Sequence, residues 1–223
     1  MNIFLLVSDK EAKYIKKGAK VVKRYNDPCF KMLELEKNNK HIGLVITMIG
    51  KVHAGAALVA AINTFGKNNN FINTGTCGSL DGNSANILDV VIGSKFVQYD
   101  VDTTAIGDPL GMISGPNIVY FDSSSKLNSL IEKGCKRENI KPVYGIISTG
   151  DKFISSKEEK ERIRSYFSSL LIEMETGAIA EIAYSYKARF SAFKVITDVN
   201  DEKEYFANFD KATKIVGKLV WSI

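Results

Sequence analysis

The sequence predicts an α/β fold of three layers (αβα), in which helices cover both faces of a central mixed, mostly parallel sheet. Short apolar runs alternate with segments of helical periodicity along the 223 residues, as expected for parallel strands joined by helices. Two apolar runs are instead joined by the polar turn 36–40, which favours an antiparallel hairpin. The length suits one domain, residues 1–223, and no linker or internal repeat divides it.

Eight apolar runs are expected to form the strands. In chain order they are 3–7, 29–35, 42–48, 70–74, 87–98, 143–148, 170–174 and 190–197. Six segments with helical periodicity are expected between and after them: 11–24, 52–65, 124–136, 157–167, 176–188 and 206–219. The small residues of 52–65 favour close packing on the sheet, whereas the sign-alternating charges of 157–164 predict a solvated helix face. The stretch 100–116 has no regular pattern, and a loop of that length is usually either functional or disordered; we favour a functional loop.

Composition and charge exclude several classes of protein. Hydrophobic residues make up 45% and charged residues 25% of the chain, as in ordinary globular proteins. No apolar stretch reaches the roughly 20 residues of a membrane span, and the N-terminal apolar run lacks the basic flank of a signal peptide. We therefore expect a cytoplasmic protein with no membrane partner.

Neither nucleic-acid binding nor a metal site is indicated by the charged residues and thiols. The net charge of +5 comes mainly from scattered lysines, and a nucleic-acid site usually needs clustered ones. The three cysteines lack CxxC spacing, which predicts reduced thiols. The two histidines have no neighbouring ligand residues, so we expect no metal and no cofactor.

Carboxylates stand at the ends of two predicted strands. Glu173 and Glu175 bracket Met174 after an apolar run, and Asp198 follows another. Burying an ionised carboxylate costs several kcal/mol unless it is paired, whereas the carboxyl end of a parallel strand is where ligands bind. Two acids in a cleft without metal ligands indicate acid/base chemistry on a bond that breaks with cationic character. Helix capping is the alternative for Asp198, and bracing of the turn is the alternative for Glu173.

Three further strand ends carry glycine and polar residues, in segments 46–57, 73–80 and 147–154. Gly50 and the glycines of 73–80 allow the backbone to approach a ligand closely, and Phe153 is able to stack on a flat ring. Each segment alone is equally compatible with a simple turn or a core aromatic. No Gly-Lys-Ser/Thr follows 73–80, so it is not a Walker loop.

These segments, in this order, resemble the nucleoside phosphorylase/hydrolase superfamily, in particular its 5′-methylthioadenosine/S-adenosylhomocysteine nucleosidases. The similarity covers the chain from the first strand to the last helix, and its most specific parts are 73–78, 149–154, 173–175 and 196–201. The resemblance implies hydrolysis of the N-glycosidic bond of these two nucleosides, with 5′-deoxyadenosine as a further candidate. The products would be adenine and the 5′-substituted ribose, and the implied partner is a small-molecule nucleoside.

The resemblance also implies roles for individual residues. Glu11 matches the family's acidic residue that activates the attacking water, and Asp198 matches the residue that protonates or hydrogen-bonds the purine. Glu175, beside Met174, matches the acceptor for the ribose hydroxyls. The other positions implied for substrate binding are Ile49, Gly50, Thr76, Phe153, Ile154, Glu173, Lys194, Thr197 and Phe209.

The sequence departs from the family pattern at Lys194 and within segment 99–108. Lys194 stands where these nucleosidases have an arginine, so the charge is kept but the planar fork is lost. Segment 99–108 resembles the one that family dimers contribute to the 5′ pocket of the neighbouring subunit. The resemblance thus implies a homodimer with Thr103 and Ile106 at that pocket, Ile106 replacing an aromatic residue.

Two other functions remain open from the sequence. A phosphorylase of the same fold needs a phosphate site, yet none of the five arginines falls in a motif, which leaves Lys10 and Lys194 as candidates. Water is therefore expected to be the nucleophile. The presence of Glu11, Glu175 and Asp198 disfavours the second alternative, a basic polyanion-binding protein without catalytic activity.

Overall fold

The computed structural model describes residues 1–223 as ten strands and six helices. The strands are β1 Asn2–Leu6, β2 Lys20–Tyr25, β3 Lys31–Lys37, β4 Lys40–Ile46, β5 Asn70–Ser79, β6 Val90–Gln98, β7 Phe121–Asp122, β8 Val143–Thr149, β9 Ser169–Glu173 and β10 Arg189–Asp198. The helices are α1 Lys13–Lys16, α2 Lys51–Phe65, α3 Ser125–Arg137, α4 Lys157–Phe167, α5 Thr176–Tyr186 and α6 Glu202–Ser222.

All ten strands belong to one mixed sheet. Strand β1 lies between β4 and β5, parallel to both, and β4, β3 and β2 continue outward as an antiparallel meander. Beyond β5 the sheet closes into a ring, because β5 pairs in parallel with β10 and antiparallel with β9, and β6 and β8 join the other edges of those strands. The closure brings the ends of β5, β9 and β10 together.

Helices cover both faces of the sheet, which confirms the predicted three-layer architecture. Alternate residues of β1 point to opposite faces: Ile3 and Leu5 pack in a core beneath α2 and α5, whereas Phe4 and Leu6 pack beneath α1, α3 and α6. A smaller core lies beneath α4. Helix α2 also packs against α5, and α1 and α3 pack against α6.

Most predicted elements are confirmed to within a few residues, including the β3–β4 hairpin and all of α4. The predicted helix 11–24 is wrong. Only α1 forms there, and after Gly18, whose φ of +72° favours glycine, the chain extends into β2. Strand β2 contains adjacent β-branched residues and pairs with β3, so sheet pairing overrides the local helical pattern.

Two boundaries near the site also differ from the sequence prediction. Strand β5 does not turn after Thr74 but continues to Ser79, because β10 and β9 pair with its second half. Helix α6 begins at Glu202 instead of 206, capped by Asp201, whose carboxylate accepts from the backbone N–H groups of Lys203 and Glu204. Asp198 therefore precedes the cap and is not part of it. No helix has both the length and the apolar character that crossing a membrane requires.

Candidate active site

One cavity of about 800 Å³ opens where β5, β9 and β10 end. The turn after β1 and the first turns of α6 complete its wall. Ten of the residues expected at the site line it: Glu11, Ile49, Thr76, Phe153, Glu173, Met174, Glu175, Thr197, Asp198 and Phe209. Segments that are far apart in sequence thus meet at one edge of the sheet, as strand carboxyl ends do in α/β folds.

The carboxylate of Glu11 is buried and held from two sides. Its Oε2 accepts from the Val7 backbone N–H at 3.0 Å, and its Oε1 accepts from both the backbone N–H and the hydroxyl of Thr76 at 3.0 and 3.1 Å. Gly75 makes this approach possible, since a Cβ there would lie 2.7 Å from Glu11 Oε1 and its φ is +141°. Glu11 is therefore fixed in one orientation at the cavity wall.

Glu175 lies at the N-terminus of α5 and is 4% exposed. Its Oε1 accepts from the backbone N–H of Gly50 at 3.0 Å, which ties the end of β9 to the start of α2. Burial, followed by the nearby charge of Glu173, raises the pKa of Glu175 to about 8. The carboxyl group is thus poised to change its charge near neutral pH when a ligand supplies hydrogen-bond donors.

Glu173 forms a buried ion pair with Lys194, whose Nζ lies 2.9 Å from Glu173 Oε2. The hydroxyl of Thr149 and the backbone N–H groups of Glu175 and Thr176 also donate to Glu173. Burial opposes ionisation, but Lys194 and these donors outweigh it and hold the pKa of Glu173 below its usual range. Glu173 is therefore ionised, and in that form it holds the β9–α5 turn and the backbone of Glu175 in place.

The Asp198 carboxyl is 3% exposed and sits at the end of β10. Its Oδ1 accepts from the hydroxyl of Thr197 at 2.9 Å, and its Oδ2 lies 3.6 Å from Lys160 Nζ. Burial raises the pKa of Asp198, although Thr197 and Lys160 oppose the shift. A carboxyl group with a raised pKa holds a proton more readily, as a general acid must.

Aromatic rings form the outer wall of the cavity. Phe153, Tyr205, Phe206 and Phe209 all line it, and the Tyr205 ring centroid lies 5.5–6.0 Å from those of Phe209 and Phe153. Phe153 and Phe206 are 48% and 75% exposed, so they form an apolar rim. A flat apolar ligand is able to stack against these rings.

Three of the expected site residues lie beside the cavity, and two do not reach it. Gly50 contributes only its N–H to Glu175, Ile154 is buried in the core beneath α4, and Lys194 lies under the cavity floor against Glu173. Thr103 precedes a single 3₁₀ turn and Ile106 is its last residue, 79% exposed. These two residues do not reach the cavity of their own chain.

Sequence reasoning missed several residues at the site. Glu202, Tyr205 and Phe206 line the cavity, and Lys160 contacts Asp198, yet none was expected there. The α6 residues were missed because the helix start was placed four residues too late. The Asp201-x-x-Glu204 spacing, typical of a capped helix start, was the available signal. No group of three or more His, Cys, Asp or Glu side chains is arranged to hold a metal ion.

Comparison with known proteins identifies the family of this chain. The model of the Phosphorylase superfamily matches residues 3–223. A 5′-methylthioadenosine/S-adenosylhomocysteine nucleosidase from Haemophilus ducreyi is 34% identical over 77% of this chain and 73% of its own. An aminodeoxyfutalosine nucleosidase from Helicobacter pylori is 32% identical over 74% of this chain and 71% of its own.

A solved structure agrees with these sequence relatives. The Helicobacter pylori 5′-methylthioadenosine/S-adenosylhomocysteine nucleosidase, in complex with a pyrrolidine that carries an amino-pyrrolopyrimidine base, superposes with a TM-score of 0.90. Its sequence is 27% identical, and the match covers 100% of this chain and 97% of that one. The chain belongs to the phosphorylase superfamily and is an N-glycosyl hydrolase of the nucleosidase type.

Proposed function

We propose that the enzyme hydrolyses the N-glycosidic bond of 5′-substituted adenosines, with 5′-methylthioadenosine and S-adenosylhomocysteine as substrates and 5′-deoxyadenosine as a further candidate. The observation that carries this proposal is the convergence of Glu11, Glu175 and Asp198, all at most 5% exposed, on one cavity with aromatic walls. Breaking the bond places positive charge on the ribose and negative charge on the base. One acid beside the sugar is able to offset the positive charge, and another beside the base is able to donate a proton to it.

The roles that we propose follow from the environment of each acid. Asp198, with its raised pKa, donates a proton to the leaving base. Glu175 accepts hydrogen bonds from the ribose hydroxyls and, as a carboxylate, offsets the charge that develops on the sugar. Glu11, fixed by Val7 and Thr76, orients and deprotonates the water that attacks the anomeric carbon.

The cationic residues around the cavity support water as the nucleophile. None of the five arginines lines the cavity, and Arg164 is bonded to Asp81 on the outside. Lys194 is buried, paired with Glu173 and does not line the cavity, which disfavours it as a phosphate ligand. Lys10 alone remains on the cavity wall, and one lysine lacks the bidentate geometry that arginine offers to phosphate.

A panel of adenosines varied at the 5′ position tests the proposal, with adenine release measured with and without phosphate. We expect phosphate-independent release from 5′-methylthioadenosine and S-adenosylhomocysteine. Because relatives include aminodeoxyfutalosine nucleosidases, aminodeoxyfutalosine belongs in the same panel as the second candidate substrate. Strict phosphate dependence, or release from none of these nucleosides, would overturn the proposal.

We further propose that the enzyme acts as a homodimer. Ile49, Val52 and Ile106 are 61%, 80% and 79% exposed, and exposed apolar side chains that lie close together on a surface mark an interaction site. Lys51 Nζ lies 2.6 Å from Asp100 Oδ1, so the start of α2 adjoins the segment that carries Thr103 and Ile106. Sedimentation analysis should give twice the chain mass, and Val52→Glu should shift the protein toward monomer. A monomeric wild-type protein at micromolar concentration would contradict this arrangement.

A further inference from the structure

Helix α4 carries one lysine that does not behave like its neighbours. Lys157, Glu158, Glu161 and Arg162 are exposed, as expected for a charged surface helix. Lys160, in contrast, is 6% exposed and shares the buried face of α4 with Ile163 and Phe167. Lysine is almost never buried without a partner, because desolvating an ammonium group is costly. Its partner therefore indicates why a cation occupies a core-facing position.

The partner of Lys160 is the end of β10. Its Nζ donates to the backbone carbonyl of Val199 at 2.7 Å and lies 3.6 Å from Asp198 Oδ2. The other side of this segment is held by Glu204, whose Oε2 accepts from the backbone N–H groups of Val199 and Asn200 at 2.8 and 3.0 Å. The backbone that follows Asp198 is thus fixed by a cation from α4 and a carboxylate from α6.

We propose that Lys160 is a positioning residue that fixes the Asp198 carboxyl and keeps it acidic enough to give up its proton. This inference rests on the proposed function. In the step concerned, the glycosidic electron pair moves to the base, the proton of Asp198 transfers to a base nitrogen, and a carboxylate remains on Asp198. Lys160 takes no part in the proton transfer and stabilises that carboxylate through its positive charge.

Among the groups that interact with Asp198, Lys160 is the one that supplies positive charge. Glu204 and Tyr205 of α6 and the Cys77 thiol of β5 also interact with Asp198, and none of them supplies positive charge. On its own strand, Thr197 supplies one neutral hydrogen bond. Without Lys160, the buried acid would bind its proton too tightly, and transfer to the base would become less favourable.

Two variants separate charge from packing at this position. Lys160→Met removes the charge at similar length, Lys160→Arg keeps it, and Lys157→Met is the matched control on the exposed face of the same helix. For Lys160→Met we expect kcat for adenine release to fall about tenfold to a hundredfold, with KM changed by less than about threefold. The high-pH limb of the kcat profile should move up by about one pH unit. Lys160→Arg should retain most of the rate, and Lys157→Met should match the wild type.

A measurement that needs no substrate tests the role of Lys160 separately from the proposed function. Carbon-13 titration of the Asp198 carboxyl in the free enzyme, assigned by comparison with Asp198→Asn, should give a higher pKa in Lys160→Met. Lys160→Gln replaces Lys160→Met if the latter does not fold. An unchanged Asp198 pKa in the neutral variant would overturn the role of Lys160, even if adenine release is normal. A raised pKa supports it, even if none of the tested nucleosides is a substrate.

Discussion

Replacing Lys194 by methionine should destabilise the protein strongly, because it leaves the buried carboxylate of Glu173 without its cation. The two side chains are 1% and 3% exposed, and their charged atoms are 2.9 Å apart. At an effective dielectric constant of about 20, that separation corresponds to about 6 kcal/mol of attraction. Part of this attraction only offsets the desolvation of the pair, so removal of one partner is expected to cost about 3–5 kcal/mol.

The measurement is thermal or urea unfolding of Lys194→Met against the wild type at pH 7. A loss of about 3–5 kcal/mol should lower Tm by roughly 6–20 °C for a chain of this size. Lys194→Arg, which keeps the charge, should lose much less. In a Glu173→Gln background, Lys194→Met should cost less than it does alone, since the charge left unpaired is then absent.

The pH dependence of the unfolding free energy tests the same Glu173–Lys194 pair in a second way. The pKa of Glu173 is lowered in the folded state, so its stabilising contribution is present above the unfolded pKa of about 4.3 and is lost as the pH falls through the lower folded value. In Lys194→Met, Glu173 binds a proton more readily, so the stability difference from wild type should narrow below about pH 5. A difference below about 1 kcal/mol at pH 7 would refute the reasoning.

Three further predictions concern activity. Asp198→Asn should lower kcat for adenine release by about 10²–10⁴-fold with Tm nearly unchanged, because only the transferable proton is lost. Activity within tenfold of the wild type would argue against Asp198 as the general acid. Gly75→Ala should reduce kcat by displacing Glu11, since the new Cβ would lie 2.7 Å from Oε1; unchanged kinetics in a folded variant would show that Glu11 need not be fixed. KM should fall as pH rises from 6 to 9, because Glu175, with a pKa of about 8, accepts hydrogen bonds from the ribose when it is ionised. Glu175→Gln should abolish this pH dependence of KM. A KM independent of pH in the wild type would contradict the role of Glu175.

The sequence was most informative where local pattern and tertiary environment agree. Helix α4 was predicted to the residue because its charged and apolar positions alternate as a surface helix requires. The β3–β4 hairpin followed from a polar turn, where Asn38 and Asn39 adopt positive φ. The site acids stood out because a carboxylate after an apolar strand is costly unless it has a partner or a ligand.

The errors lie where pairing with another strand decides the local conformation. Residues 20–25 carry a helical pattern, but β3 offers them an edge to pair with, so they form a strand. Strand β5 continues beyond Thr74 because β9 and β10 satisfy its backbone groups. Strand β3 follows β2 closely along the chain, so a helical pattern in one segment has to be weighed against the next, whereas β9 and β10 lie far from β5 in sequence and no local window contains their pairing.

The α/β class, the order of most elements and the candidate acids Glu11, Glu175 and Asp198 follow from residue type and spacing. The use of each acid follows from its surroundings in the folded chain. The fold pairs Glu173 with Lys194, leaves Glu175 with a raised pKa, and brings Lys160 to Asp198. Residue type and spacing record which groups are present, whereas burial and the charges within a few ångströms set their protonation. Those neighbours come from other strands and helices, and folding alone brings them together.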